Sequence, residues 1–320
     1  MSNIKYIKSP LNYTGNKYRI LEQITKFFPD EINCMVDLFC GGATVGLNTN
    51  AKKIIFVDSN EKVIQLLVYL AKQNFDDFIN ECEKTIDKYG LSFSYKYGYK
   101  IYREKCQNKN DNNGLKDYNS IGFYKLREDY NKIKDKTTDK ANMMLYLLMV
   151  YAFNNDIRFN SDGEFNLPVG KTDLNRMNVE KVKAYIDKVS VIETEFVCMS
   201  FTDTRFQNII SQADFVYMDP PYLIGDAVYN SMWNNAMEHR LLDFIDGLIA
   251  RKINFALSNV LKKVGKTNEP LSYWTHLRGD QIIVNHITYN YRSSSYNKIT
   301  RDAKEEEVLI TNVRYCNNEN

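Results

Sequence analysis

Phe215-Val216-Tyr217-Met218-Asp219-Pro220-Pro221-Tyr222 is the stretch on which the reading of this chain turns. Its four apolar residues read as a short buried strand. Two consecutive prolines, which cannot donate to a ladder and hold the backbone extended, end that strand abruptly. Asp219 and Tyr222 therefore stand at the carboxyl end of a strand, where open α/β sheets bind their ligands. A rigid turn that offers one carboxylate, a carbonyl and an aromatic face suits the grip of a planar exocyclic amine. Taken alone, the same residues also fit a plain surface turn.

Working outward, Met35 to Phe39 reads as a second strand and Cys40-Gly41-Gly42-Ala43 as the tight turn into a helix that begins near Thr44. Glycines there let a ligand approach the backbone, and a helix start offers free amide hydrogens. A third strand, Ile54 to Val57, ends at Asp58. An acid roughly 20 positions after a glycine turn is spaced to meet a ribose diol. Near the N-terminus, Pro10-Leu11-Asn12-Tyr13-Thr14-Gly15-Asn16-Lys17 precedes an amphipathic stretch from Tyr18 to Phe28. Tyr13 and Lys17 around the glycine could clamp an anionic or zwitterionic ligand; a helix-capping loop with a solvated lysine reads equally well.

In this order the motifs resemble those of the Dam-like DNA adenine-N6 methyltransferases. Tyr13 to Lys17 looks like that family's aromatic-x-Gly-x-Lys loop, and Asp37-Leu38-Phe39-Cys40-Gly41-Gly42-Ala43 is similar to its Asp-x-Phe-x-Gly-x-Gly turn. Asn160 to Gly170 resembles the Asn-x-x-Gly-x-Phe-Asn-x-Pro-x-Gly stretch that precedes the catalytic half. Two positions depart from the pattern: Ala43 replaces the last glycine of the turn, and Tyr13 stands where many members carry tryptophan. The resemblance implies S-adenosyl-L-methionine as cofactor, held by Tyr13, Lys17, Asp37, Phe39, Gly41, Gly42, Asp58, Phe201, Asp203 and Asp219. It implies catalysis by Asp219, Pro220, Pro221 and Tyr222. The Asp219 carboxylate and the Pro220 carbonyl would accept hydrogens from adenine N6, and Tyr222 would stack on a base swung out of the duplex. It also implies a Rossmann-like methyltransferase sheet, mostly parallel and seven-stranded, with one antiparallel strand near the end.

Strand and helix patterns alternate, which indicates an α/β fold with a largely parallel sheet. Strands are expected at Glu195–Met199, Phe215–Met218, Asn254–Leu257, Gln281–Val284 and Glu307–Asn312, and a helix at Glu238–Ala250. Helical periodicity at Phe75–Ile86 and Ala141–Phe153 marks a mainly helical insertion. The expected division is a catalytic domain of residues 1–70 and 190–320, split by a target-recognition domain of residues 71–189.

A chain of 320 residues with 44% hydrophobic content can bury more than one core. Met143 to Phe153 is too short to cross a bilayer, and no N-terminal stretch reads as a signal peptide. Six cysteines without a Cys-x-x-Cys pair, and three unclustered histidines, argue against zinc and a disulfide framework, so a reducing cytoplasm is expected. The net charge of +2 decides nothing, but its distribution does more. Between Leu91 and Lys140, 12 lysines and arginines face 7 acids, with seven tyrosines interleaved, as is common where side chains meet phosphates and unpaired bases. Gln107 to Asn113 reads as a loop. Arg103, Lys105, Lys125, Arg127 and Asn160 are the candidate nucleic-acid contacts here. Tyr291, Arg292, Ser294 and Lys298, in a polar, aromatic and basic stretch, are the candidates further on. Ser258-Asn259, closing a strand, could line a base pocket, and Tyr229 and Trp233 read as a substrate-ordered lid or as core aromatics.

The expected partner is double-stranded DNA, either within a restriction-modification system beside a separately acting endonuclease or as an orphan or phage methylase, with no metal or membrane. Rival readings keep the fold and change the acceptor to RNA adenine or another nucleobase amine, or make the chain an idle nucleic-acid-binding module. Asp219 in the first position of its motif favours adenine.

Overall fold

The computed structural model describes residues 6–12, 15–106, 112–224, 233–287 and 306–313. Tyr13, Tyr229, Tyr291, Arg292, Ser294 and Lys298 lie outside them, as do residues 107–111 of the expected loop. The chain forms two compact units, Met1–Asn16 with Asn60–Val191, and Lys17–Ser59 with Ile192–Asn320. The expected insertion, residues 71–189, lies within the first.

The second unit is a sheet. Its strands are β1 (Ile32–Leu38), β2 (Ala51–Asp58), β3 (Glu193–Cys198), β4 (Phe215–Met218), β5 (Asn254–Lys263), β6 (Lys266–Thr267), β7 (Ile283–Ile287) and β8 (Glu306–Thr311). The order is β3-β2-β1-β4-β5-β8-β7, with β6 a short hairpin on β5. β3, β2, β1, β4 and β5 pair in parallel, and β8 runs antiparallel between β5 and β7. Among the described residues the expected mostly parallel α/β sheet is therefore present, with seven strands on its main path and β6 as an addition. Every residue of β4 is buried, as a central parallel strand covered on both faces must be. One face carries a core built around Val36, Leu38, Val57, Val216, Leu241, Ile245 and Leu257. On the other face Phe28 packs against Phe215 and Tyr217 at 4.8 and 5.6 Å between ring centres.

The order reverses direction beside β1: the chain steps outward through β2 and β3, then returns to lay β4 on the opposite flank of β1. That is the switch point at which an open parallel sheet leaves a crevice beyond its strand ends. Leu38 pairs with Met218, so the next residues on both strands enter that crevice side by side.

The first unit is mainly helical. Asp139–Tyr151 is its central helix, buried from Ala141 onward, which explains an apolar run without amphipathic spacing. Lys116–Lys132 comes so close to the preceding segment that a Cβ on Gly122 would stand 2.2 Å from the Tyr89 carbonyl oxygen. Asparagines cap helices in both units: Asn74 and Asn175 in the helical one, Asn234 and Asn268 in the sheet unit, each accepting amide hydrogens from the first turn. Among the described residues no helix is long and apolar enough to cross a membrane.

Candidate active site at the carboxyl ends of β1 and β4

β1 ends in a turn that three left-handed residues shape. Phe39, Gly41 and Ala43 have φ of 62°, 48° and 62°. Only the glycine adopts this conformation freely; for Phe39 and Ala43 it stores strain of roughly 1–2 kcal/mol each. The turn is closed by its own backbone, with the Cys40 N–H donating to the Val57 carbonyl at 3.0 Å and the Ala43 N–H to the Cys40 carbonyl at 2.7 Å. Carboxylates brace the turn. Asp58, at the end of β2, accepts the Gly41 N–H at 2.9 Å, and Asp37 accepts the Gly46 N–H at 2.9 Å. Gly46 opens the way for that contact, because a Cβ there would stand 2.5 Å from the Phe56 ring and 2.8 Å from Asp37 Oδ2.

Asp219 leaves β4 beside this turn, its N–H 3.4 Å from the Leu38 carbonyl oxygen. Both carboxylate oxygens have partners. Lys17 Nζ donates to Oδ2 at 2.6 Å and the Tyr222 hydroxyl donates to Oδ1 at 3.0 Å. The Lys17 ammonium also lies 5.2 Å from the centre of the Tyr222 ring. The pair is largely shielded, with 8% and 19% of the Lys17 and Asp219 side chains exposed. Burial first, and then the Asp219 charge, push the Tyr222 phenol well above its ordinary pKa. Burial likewise raises Asp37 to about 7, with the Asp219 and Asp58 charges adding to the rise and the Gly46 N–H opposing it. Three carboxylates thus sense one another around the turn.

Phe39 meets Phe201 at 5.4 Å and Trp233 at 5.6 Å, so an aromatic group flanks the turn. Phe201 is buried. Asp203 is held by its neighbour Arg205, whose bonds to both carboxylate oxygens lower its pKa to about 2. Pro220 is buried, and Pro221 is partly so.

Lys17, Asp37, Phe39, Gly41, Gly42, Asp58, Phe201 and Asp219 to Tyr222 are therefore gathered at one end of the sheet, within one unit. The pairing of Lys17 with Asp219 spans 202 positions and has no local sequence signal. Gly46 was also missed, since its spacing from Gly41 fits no glycine fingerprint. Ser258 and Asn259 do not close a strand as expected: both are buried within β5, which runs on to Lys263.

In the helical unit the basic candidates divide into two kinds. Lys105 and Lys125 are exposed. Arg103 instead donates to the Gly114 carbonyl at 2.6 Å, and Arg127 to the Leu167 carbonyl at 3.0 Å while lying 4.7 Å above the Tyr124 ring. Asn160 organises a tight turn, accepting the N–H groups of Asp162 and Glu164 at 3.1 and 2.8 Å. Among the described residues no group of three His, Cys, Asp or Glu side chains could hold a metal ion.

The family described as D12 class N6 adenine-specific DNA methyltransferase matches residues 13–306. The chain belongs to that family. Modification methylase StsI of Streptococcus sanguinis is 37% identical over 97% of this chain and 44% of its own length. Type II methyltransferase M.FokI of Planomicrobium okeanokoites is 37% identical over 96% of this chain and 43% of its own length. DNA adenine methylase of Escherichia coli (strain K12) is 26% identical over 78% of this chain and 79% of its own. The chain spans less than half the length of the first two relatives.

Proposed function

We propose that the protein transfers a methyl group from S-adenosylmethionine to the N6 amino group of an adenine within a short duplex DNA sequence. One observation carries this reading. Asp219 emerges at the β1/β4 switch point beside the glycine turn, with Lys17 and Tyr222 on its two oxygens. Family membership and a relative named DNA adenine methylase support the same acceptor.

The donor set fits the cofactor. Asp58 and Asp219 place negative charge around the turn, Asp37 adds to it only above about pH 7, and Lys17 offsets only part of it, which favours a cationic ligand. S-adenosylmethionine, when bound, supplies an electrophilic methyl on a sulfonium. Phe39 and Phe201 offer apolar surface for its adenine, the Gly41-Gly42 backbone close approach, and Asp58 an acceptor near its ribose.

The acceptor nitrogen is a poor nucleophile, because its lone pair is delocalised into the ring. Hydrogen bonds from its amino group to the Asp219 carboxylate and the Pro220 carbonyl draw it toward tetrahedral geometry. They also stabilise the positive charge that develops as the new bond forms. Lys17 holds one Asp219 oxygen in the free protein, so acceptor binding must share or displace that contact. Tyr222 stacks on the extruded base, offsetting unstacking by roughly 1–3 kcal/mol. The helical unit supplies DNA contacts through exposed Lys105 and Lys125, and the reaction serves a modification role alongside a separate restriction endonuclease.

The test is expression in a host that lacks adenine methylation, followed by single-molecule sequencing of its DNA. N6-methyladenine at one recurring short sequence is the expected result. Unmodified DNA from cells making folded, cofactor-binding protein would overturn it and redirect attention to an RNA acceptor.

A further inference from the structure

Glu238 opens the helix Asn235–Ala250 and lies inside the sheet unit with none of its surface exposed. Three neutral side chains serve its carboxylate. Trp233 Nε1 donates to Oε2 at 2.6 Å; Asn268 Nδ2 and Asn259 Nδ2 donate to Oε1 at 2.8 and 3.2 Å. Burying a carboxylate is unfavourable, and an apolar side chain of similar size would fill the space with less penalty. What the carboxylate adds is geometry. Asn259 is fixed within β5, and Asn268 caps the helix Glu269–Arg278 through the Leu271 N–H at 3.2 Å. Both asparagines are fully buried, so Glu238 is anchored from two rigid elements and presents its remaining oxygen to a tryptophan that is only partly buried.

Beyond that bond, the Trp233 ring stands nearly perpendicular to Phe39, at 83° and 5.6 Å, and 6.0 Å from Phe201. An indole held by its N–H alone among its polar contacts is fixed in orientation, and this one is fixed against the two aromatics that flank the glycine turn. We propose that Trp233 forms a further wall of the slot for the cofactor's adenine, and that Glu238 is the positioning residue that sets it. The inference rests on the reading of Phe39 and Phe201 as cofactor contacts given above. Trp233 is only partly buried beside Phe39 and Phe201, and ring-on-ring contact is the interaction an indole so placed can offer a purine. Glutamine at position 238 has a single acceptor oxygen and cannot serve the indole and both asparagines together.

The experiment follows tryptophan emission of the full chain during titration with S-adenosylmethionine, with calorimetry in parallel, for the wild type and Trp233→Phe. Trp274, the other tryptophan, is buried against Asp246 and is present in both proteins. The expected result is a cofactor-induced emission change in the wild type that is lost in Trp233→Phe although binding heat persists. Glu238→Gln should raise the KM for cofactor about tenfold, with kcat within about twofold and the KM for DNA unchanged, a split that a general loss of fold would not produce. Binding heat in the wild type without a Trp233-dependent emission change overturns the proposal and leaves the cofactor reading standing. Absence of any binding heat in folded wild type overturns both. Should Glu238→Gln fail to fold, the emission comparison decides alone.

Discussion

The end of the sheet and the surface of the helical unit use charge in opposite ways. Around the glycine turn, carboxylates from three strand ends converge, and the ammonium of Lys17 answers one of them. In the helical unit the basic residues are spread along helices, and two of the four that looked ready for phosphate, Arg103 and Arg127, are donors to backbone carbonyls instead. The difference follows from topology. A parallel sheet sends every strand out at the same end, so residues far apart in sequence are brought to one place. Helices in a bundle give their surfaces no such focus, and a basic side chain there is as available to its own loops as to a ligand.

The largest effect tests the sheet side. Asp219→Ala should lower methyl transfer by about 10³-fold or more while cofactor binding stays measurable by calorimetry; near-normal turnover would remove the basis of the contrast. Next comes Lys17→Met, which leaves the Asp219 carboxylate largely buried without its cation. Thermal or urea unfolding should register a loss on the order of 3 kcal/mol, and the double variant with Asp219→Asn should recover part of it.

Asp37 gives a pH signature of similar size. Its pKa is raised from 3.8 to about 7 on folding, so folding favours its protonated form. The stability gained that way is fully present below about pH 4 and is lost as pH rises toward 7. Asparagine at this position can still accept the Gly46 N–H and never ionises. Asp37→Asn should therefore match the wild type near pH 4 and exceed it by on the order of 4 kcal/mol at pH 8, at roughly 1.4 kcal/mol per pKa unit. A constant difference across urea titrations at the two pH values would contradict this. The same variant should bind a cationic cofactor more weakly, which separates the two consequences of the charge.

The smallest effects sharpen the helical side. Arg127→Ala should lower stability by about 1–2 kcal/mol through the lost Leu167 carbonyl bond. Lys125→Ala should leave the melting temperature unchanged and reduce the slope of log affinity for DNA against log salt by about 1. Interchanged outcomes would mean that the division between structural and solvent-facing cations is drawn wrongly.

What could be read from the sequence follows the same line. β4 was legible to the residue, Phe215 to Met218, because two prolines mark where pairing must stop. β5 was read too short. Ser258 and Asn259 look like the end of a strand, yet they continue it, since Ser258 shares a 2.8 Å hydrogen bond with the Tyr217 hydroxyl and Asn259 is satisfied by Glu238. β7 was placed early because Gly279–Gln281 forms a 3-10 turn and its edge position admits polar residues such as Asn285 and His286. The amphipathic stretch from Tyr18 to Phe28 holds a short 3-10 turn, Tyr18–Ile20, followed by the helix Leu21–Thr25. Motif residues at strand ends could be found by type and spacing. Left-handed Phe39 and Ala43 could not, because nothing in a phenylalanine or alanine announces that conformation, and the Lys17–Asp219 pair depends wholly on the fold.

The most direct test couples Asp219 to the acceptor amine. Once the target sequence is known, binding is measured for duplexes carrying adenine or unsubstituted purine at the target position, each against the wild type and Asp219→Ala. A charge-assisted hydrogen bond is worth about 1.5–3 kcal/mol, so the wild type should prefer adenine by roughly tenfold or more, and Asp219→Ala, left with the Pro220 carbonyl alone, should discriminate roughly tenfold less. Equal discrimination by both proteins would contradict the claim that this carboxylate grips the amino group.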